Sequence, residues 1–124
     1  IDSWLALVNN KWLHFEPASV DEYALRYEAF LDHYADEPLF RYEDFIEQPD
    51  EILRRICAEM DLPFPEGYQE MFAVHSFSGD SGRKGNDIRP RPRRSMTEEA
   101  HTVMQQSDSL YRLCKRLGYR WDVA

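Results

Sequence analysis

The run Ser78-Gly79-Asp80-Ser81-Gly82-Arg83-Lys84-Gly85 combines residue types that suit an anion site. Small residues let backbone N–H groups come close to an oxyanion, Arg83 offers a planar fork of donors, and Lys84 adds a point charge. A phosphomonoester fits that set. The same composition also fits a solvated loop whose charges serve solubility. A Walker A loop is excluded, because the Gly-x-x-x-x-Gly-Lys-Ser/Thr spacing is absent.

Two further clusters carry aromatic and polar groups together. Tyr42-Glu43-Asp44 closes a short apolar run, and in open α/β folds the carboxyl ends of strands hold ligand-binding residues. Tyr42 could stack on a base while the acids hold neighbouring loops. Core packing of Tyr42 and capping by the acids is the structural alternative. In His75-Ser76-Phe77, Phe77 could sandwich a purine and the Ser76 hydroxyl could bond its edge, whereas His75 could only satisfy the last carbonyls of a helix. His14, His33 and His101 lack the nucleophile and carboxylate of a hydrolytic triad. No His/Cys cluster has metal-ligand spacing, so no metal is expected.

Helices must position these segments. Trp4, Leu5, Val8 and Trp12 recur at helical spacing and predict a helix over 2–14, stopped near Glu16-Pro17. Ser19 and Glu22 form a capping-box pattern; behind it Val20, Tyr23, Ala24, Tyr27, Phe30, Leu31 and Tyr34 share one face, read as core. Leu39-Phe40-Arg41-Tyr42, bounded by Pro38 and acids, predicts a buried strand over 39–42, with Glu43-Asp44-Phe45 leading into a turn. Gln48-Pro49-Asp50 opens a helix with Ile52, Leu53, Ile56, Cys57 and Met60 inward, ending by Leu62-Pro63. Pro65-Glu66 begins another, with Tyr68, Met71, Phe72 and His75 on one side.

Glycines and serines then break regularity, and Pro90 and Pro92 among alternating arginines exclude helix. Residues 78–94 therefore predict a flexible, extended, basic loop. A last helix opens with Ser95 and Glu98 as a second box and runs through Ala100, Val103, Met104, Leu110, Tyr111, Cys114 and Leu117. It stops at Gly118, with Tyr119 and Trp121 folding back. No internal repeat or domain boundary shows, so residues 1–124 read as a single domain or part of one. The class expected is α/β, predominantly helical, with one short strand.

Composition limits the partners. At 124 residues the chain is about half of what an open α/β nucleotide-binding fold generally needs. The absence of an initiator methionine suggests that residues precede Ile1. A 43% hydrophobic and 14% aromatic content is enough for a core, and no apolar run is long enough for a membrane span. Cys57 and Cys114 fall on apolar helical faces and read as buried free thiols, which favours a reducing cytoplasm. The net charge of −8 argues against nucleic acid and membrane surfaces. Its distribution is uneven: residues 83–94 hold six basic side chains against Asp87 alone, a local +5 that leaves −13 for the rest. Such a concentration points to a local anion site.

Taken in order, Arg41-Tyr42-Glu43-Asp44-Phe45, Pro49-Asp50-Glu51-Ile52-Leu53-Arg54-Arg55-Ile56, Leu62-Pro63-Phe64, His75-Ser76-Phe77 and Arg83-Lys84-Gly85 resemble the carboxyl-terminal half of sulfotransferases. The closing Leu117-Gly118-Tyr119 agrees with bacterial members. The resemblance implies a P-loop-like α/β fold and transfer of a sulfuryl group from 3′-phosphoadenosine 5′-phosphosulfate (PAPS) to a hydroxyl or amine on a small-molecule or carbohydrate acceptor. It implies that Tyr42, Ser76 and Phe77 lie at the adenine and that Arg83, Lys84 and Gly85 hold the 3′-phosphate.

The chain also departs from the family. In cytosolic members a long stretch separates the His-Ser-Phe-like element from Arg-Lys-Gly, and Gly-x-x-Gly-x-Trp-Lys follows. Here the gap is short and Asn86-Asp87-Ile88-Arg89 follows. The loop for the 5′-phosphosulfate, the catalytic base and an earlier Arg/Ser pair have no counterpart. The expectation is an amino-terminal half that carries the reaction centre, with no catalytic residue assigned in this chain. Two other readings stay open: a small helical interaction module whose Arg89-Pro90-Arg91-Pro92-Arg93-Arg94 track docks an acidic partner, and a nucleotide-binding regulator without catalysis.

Overall fold

Helices form where the chain supplies a cap, an apolar stripe and a stop. The computed structural model describes residues 1–74, 88, 90, 92 and 95–121, apart from the side chains of 72–74. In chain order the helices are α1 (Asp2–Asn9), α2 (Val20–His33), α3 (Tyr42–Glu47), α4 (Pro49–Glu59), α5 (Tyr68–Val74), α6 (Glu98–Gln105) and α7 (Asp108–Arg116). Helix makes up 59% of the structure and there is no strand among the described residues, so the predominantly helical expectation holds. The chain divides into two compact units, one of Ile1–Glu37 with Pro92–Ala124 and one of Pro38–Arg91.

In the first unit, Ser19 caps α2 as its type predicts, its hydroxyl accepting from the Glu22 N–H at 3.2 Å. Val20 and Ala24 face inward and meet Trp4 and Leu5 of α1, Met104 of α6, and Leu110, Leu113 and Cys114 of α7 in one buried cluster. α7 lies against α2. Ser107 bonds Asp21, Arg112 pairs with Glu28 and Arg116 with Asp32, at 2.6, 3.9 and 2.6 Å, so the two helices advance in the same direction.

The predicted last helix is two helices. Ser107, only 3% exposed, ends the regular path by accepting from the Leu110 N–H at 3.0 Å while donating to Asp21. The cap of α6 is Thr97, accepting from the Ala100 N–H, in place of Ser95. The stop at Gly118 is as expected: at φ 73° it lets the Tyr119 N–H reach the Cys114 carbonyl and its own N–H reach that of Lys115. α1 stops earlier than predicted, because Lys11 takes a left-handed φ of 56° and closes the same pattern onto Val8 and Leu7 without glycine.

The face of α2 also corrects the sequence reading. Tyr23 is partly buried, but Tyr27, Phe30 and Tyr34 are 37%, 57% and 48% exposed. Successive rings meet at tilted or edge-on angles along the helix, 6.0, 6.3 and 4.7 Å apart from Tyr23 to Tyr34. Val20, Tyr23, Ala24 and Leu31 of the stripe reach the core, while the Tyr27, Phe30 and Tyr34 rings lie at the surface.

In the second unit the expected buried strand over 39–42 does not exist. Residues 39–41 have no regular structure, and Tyr42 is the first residue of α3. Leu39 and Tyr42 are 55% and 51% exposed. A strand needs a neighbour to take its backbone groups, and no described strand offers one. Glu43 and Asp44 suit the first turn of a helix, so the chain turns helical there. Pro49 stands at the start of α4, as its missing N–H allows. Ile52 and Cys57 are buried, whereas Met60, expected inward, is 64% exposed just past the helix end. Asp61 at φ 52° closes that end, giving the Leu62 N–H to the Cys57 carbonyl. α5 starts at Tyr68 instead of Pro65, after a turn through Gly67. Both cysteines are free and buried, as the periodicity predicts.

Candidate functional site

Of the six residues expected at the nucleotide, Tyr42 is described; Ser76, Phe77, Arg83, Lys84 and Gly85 lie outside the described residues. So do His75 and all of the basic loop except residues 88, 90 and 92. The site is therefore built from the second unit's α3, α4 and α5 outward from Tyr42.

Tyr42 is flanked by two tied residues. On its amino side the cap residue, Arg41, donates through Nε to Asp44 Oδ2 at 2.9 Å and through Nη2 to Oδ1 at 2.5 Å, a two-pronged clasp that spans the first turn. That hydrogen bond, together with the charges of Arg41 and of Arg55, holds the Asp44 carboxyl below its ordinary value. Just before them, the Arg55 guanidinium of α4 sits over the Phe40 ring, 5.4 Å from its centre. The ring of Tyr42 itself stays half-exposed.

A second polar group lies farther along the unit. Tyr68, buried at the start of α5, donates its hydroxyl to Asp50 Oδ1 of α4 at 2.6 Å. Burial, and then the donated hydrogen bond, push the phenol above its ordinary pKa. The Tyr68 ring meets Phe64 nearly edge-on at 6.0 Å, and Arg54 lies over Phe64 at 3.7 Å while pairing with Glu66 at 3.3 Å. Aromatic rings and guanidinium groups thus alternate in this unit. Such surfaces suit flat, anionic or base-bearing ligands, because both ring faces and guanidinium planes stack.

The first unit offers buried groups of another kind. Burial, then the nearby Tyr27, raises the Tyr23 phenol above its ordinary value, and burial raises the Cys114 thiol. A thiol held in its neutral form is a poor nucleophile at neutral pH. Among the described residues no group of three or more His, Cys, Asp or Glu could hold a metal ion, and no helix is long and apolar enough to cross a membrane.

The Arg41–Asp44 clasp was missed with the strand expected over 39–42, although opposite charges three residues apart can meet on one helical turn. The Phe40–Arg55 and Asp50–Tyr68 contacts had no sequence signal, since each needs a neighbouring element to arrive first. No protein-family model matches this chain, and no curated protein or solved structure matches it either.

Proposed function

We propose that this chain is the part of a cytoplasmic, PAPS-dependent sulfotransferase that binds the adenosine 3′-phosphate end of the donor, within a P-loop-like α/β fold. The observation that carries the reading is the ordered series from Arg41-Tyr42-Glu43-Asp44-Phe45 to Arg83-Lys84-Gly85. A half-exposed Tyr42 ring between two tied neighbours supports it, because a stacking platform must be both accessible and fixed. In this reading Tyr42, Ser76 and Phe77 flank the adenine, while Arg83, Lys84 and Gly85 grip the 3′-phosphate.

The enzyme would transfer the sulfuryl group in line to a small-molecule or carbohydrate acceptor. The acceptor oxygen or nitrogen bonds to sulfur as the bond from sulfur to the 5′-phosphate oxygen breaks. A base takes the acceptor's proton, and adenosine 3′,5′-bisphosphate leaves with the electron pair. These duties fall to an amino-terminal half; the share of this chain is to bind and orient the nucleotide.

Titration calorimetry of adenosine 3′,5′-bisphosphate into the full-length protein tests the proposal. Arg83→Ala should weaken binding by about 1.5–3 kcal/mol, the worth of a charge-assisted bond. Unchanged affinity rejects it. The exposed Tyr27, Phe30 and Tyr34 of α2 favour a second reading, a helical interaction module, since contiguous apolar surface marks association sites. That reading expects no nucleotide binding by the native protein.

A further inference from the structure

Tyr42 opens a helix of six residues, too short to hold itself together in water. Its cap residue, Arg41, has an extended backbone (φ −85°, ψ 142°), and its side chain makes no capping hydrogen bond. A side-chain cap of the Ser19 kind is absent from this helix start. In its place the Arg41 side chain reaches over Tyr42 and Glu43 to both oxygens of Asp44. Asp44 in turn feels Arg55, whose guanidinium covers Phe40, so the residues on either side of Tyr42 are held from α3 and from α4. The bidentate pair defines a direction as well as a distance, because a guanidinium fork and a carboxylate meet in one plane.

We infer that Asp44 is a positioning residue for Tyr42: by clasping Arg41 it sets the backbone that carries the ring, so that the ring is already placed when the adenine arrives. This rests on the proposed nucleotide reading and adds a residue to it that touches no ligand. The benefit is pre-organisation. A ring fixed before binding loses little rotational freedom on binding, whereas a ring on a loose turn must be ordered at the ligand's expense. Asp44 therefore matters to affinity only through Tyr42.

A double-mutant cycle read by calorimetry with adenosine 3′,5′-bisphosphate tests this on the full-length protein. Four forms are compared: native, Tyr42→Ala, Asp44→Ala and the double variant, with helical content checked by circular dichroism. Asp44→Ala is expected to weaken binding about two- to fivefold when Tyr42 is present and to add nothing once Tyr42 is Ala. Asp44→Glu should recover part of the loss, since it can still accept from Arg41. Where Asp44→Ala lowers the helical signal, Asp44→Asn takes its place, keeping the volume while removing the charge.

Equal losses in both backgrounds would mean a general structural role and overturn the inference. No loss from Asp44→Ala, with a clear loss from Tyr42→Ala, would overturn it and leave the nucleotide reading standing. Failure of the native protein to bind the bisphosphate at all would remove both.

Discussion

The two units are held together by different forces. In the first, eight residues from four helices close into one apolar cluster, and Met104, Val20 and Leu110 are almost wholly shielded from water. In the second, Ile52, Cys57 and Tyr68 are the buried core among the described residues, and partly exposed clasps surround it: Arg41 with Asp44, Arg55 over Phe40, Arg54 over Phe64, and Tyr68 with Asp50. Apolar burial is insensitive to salt and pH, whereas exposed ion pairs are weak and screened. The candidate site thus lies on the unit with the smaller buried core among the described residues, where guanidinium groups cover aromatic rings at the surface.

The sharpest way to break this contrast is to open a cavity in the first unit. Met104→Ala should cost about 2–5 kcal/mol in urea unfolding, because a fully enclosed side chain leaves a void. Loss below about 1 kcal/mol would mean that the cluster is not the stabilising core described above. All three tryptophans, Trp4, Trp12 and Trp121, belong to that unit, so their fluorescence reports it without contribution from the other.

A smaller effect tests how α6 and α7 are divided. Ser107 is buried, caps α7 and donates to Asp21, so Ser107→Ala should cost about 1–2 kcal/mol by the same unfolding measurement. Ser107→Thr, which keeps the hydroxyl, should cost less. A neutral Ser107→Ala would show that the break between the helices is set elsewhere.

The smallest effect separates the units by pH. Asp44 is held below its ordinary value of 3.8 by Arg41, so its folded form favours the ionised carboxylate. Its contribution is then present above that value and lost as pH falls through the lower, folded one. An NMR acid titration should show the Arg41 Nε–H signal moving in the same pH window as Asp44, while tryptophan fluorescence from the first unit lags behind. At the alkaline end the units should behave alike: Tyr23 and Tyr68 both titrate above the ordinary phenol value of 10.0, and each loses its contribution as pH rises through its raised pKa.

What the sequence revealed followed the range of the interactions involved. The Ser19 cap, Pro49 at the head of α4 and the Gly118 stop depend on neighbours within a turn, and the two buried cysteines follow the helical period; all were readable. The strand over 39–42 was misread because an apolar run of four residues fits a strand or a helix entry equally well, and only an adjacent strand decides. The break at Ser107 depends on Asp21, 86 residues away. Lys11 and Asp61 end their helices in a conformation that glycine usually supplies, so neither announced a stop. On α2 the helical period identified one face correctly but could not say what covers it. Of the candidate site, the exposure of Tyr42 and its two flanking ties came from structure alone.

The proposed recognition joins the basic segment to a 3′-phosphate on an adenosine whose base meets Tyr42. It is tested most directly by comparing adenosine 3′,5′-bisphosphate with adenosine 5′-monophosphate in binding to the full-length protein and to Arg83→Ala. The account predicts that the native protein prefers the bisphosphate by about tenfold or more, and that Arg83→Ala abolishes most of the preference. Equal affinity of the native protein for the two nucleotides would contradict it.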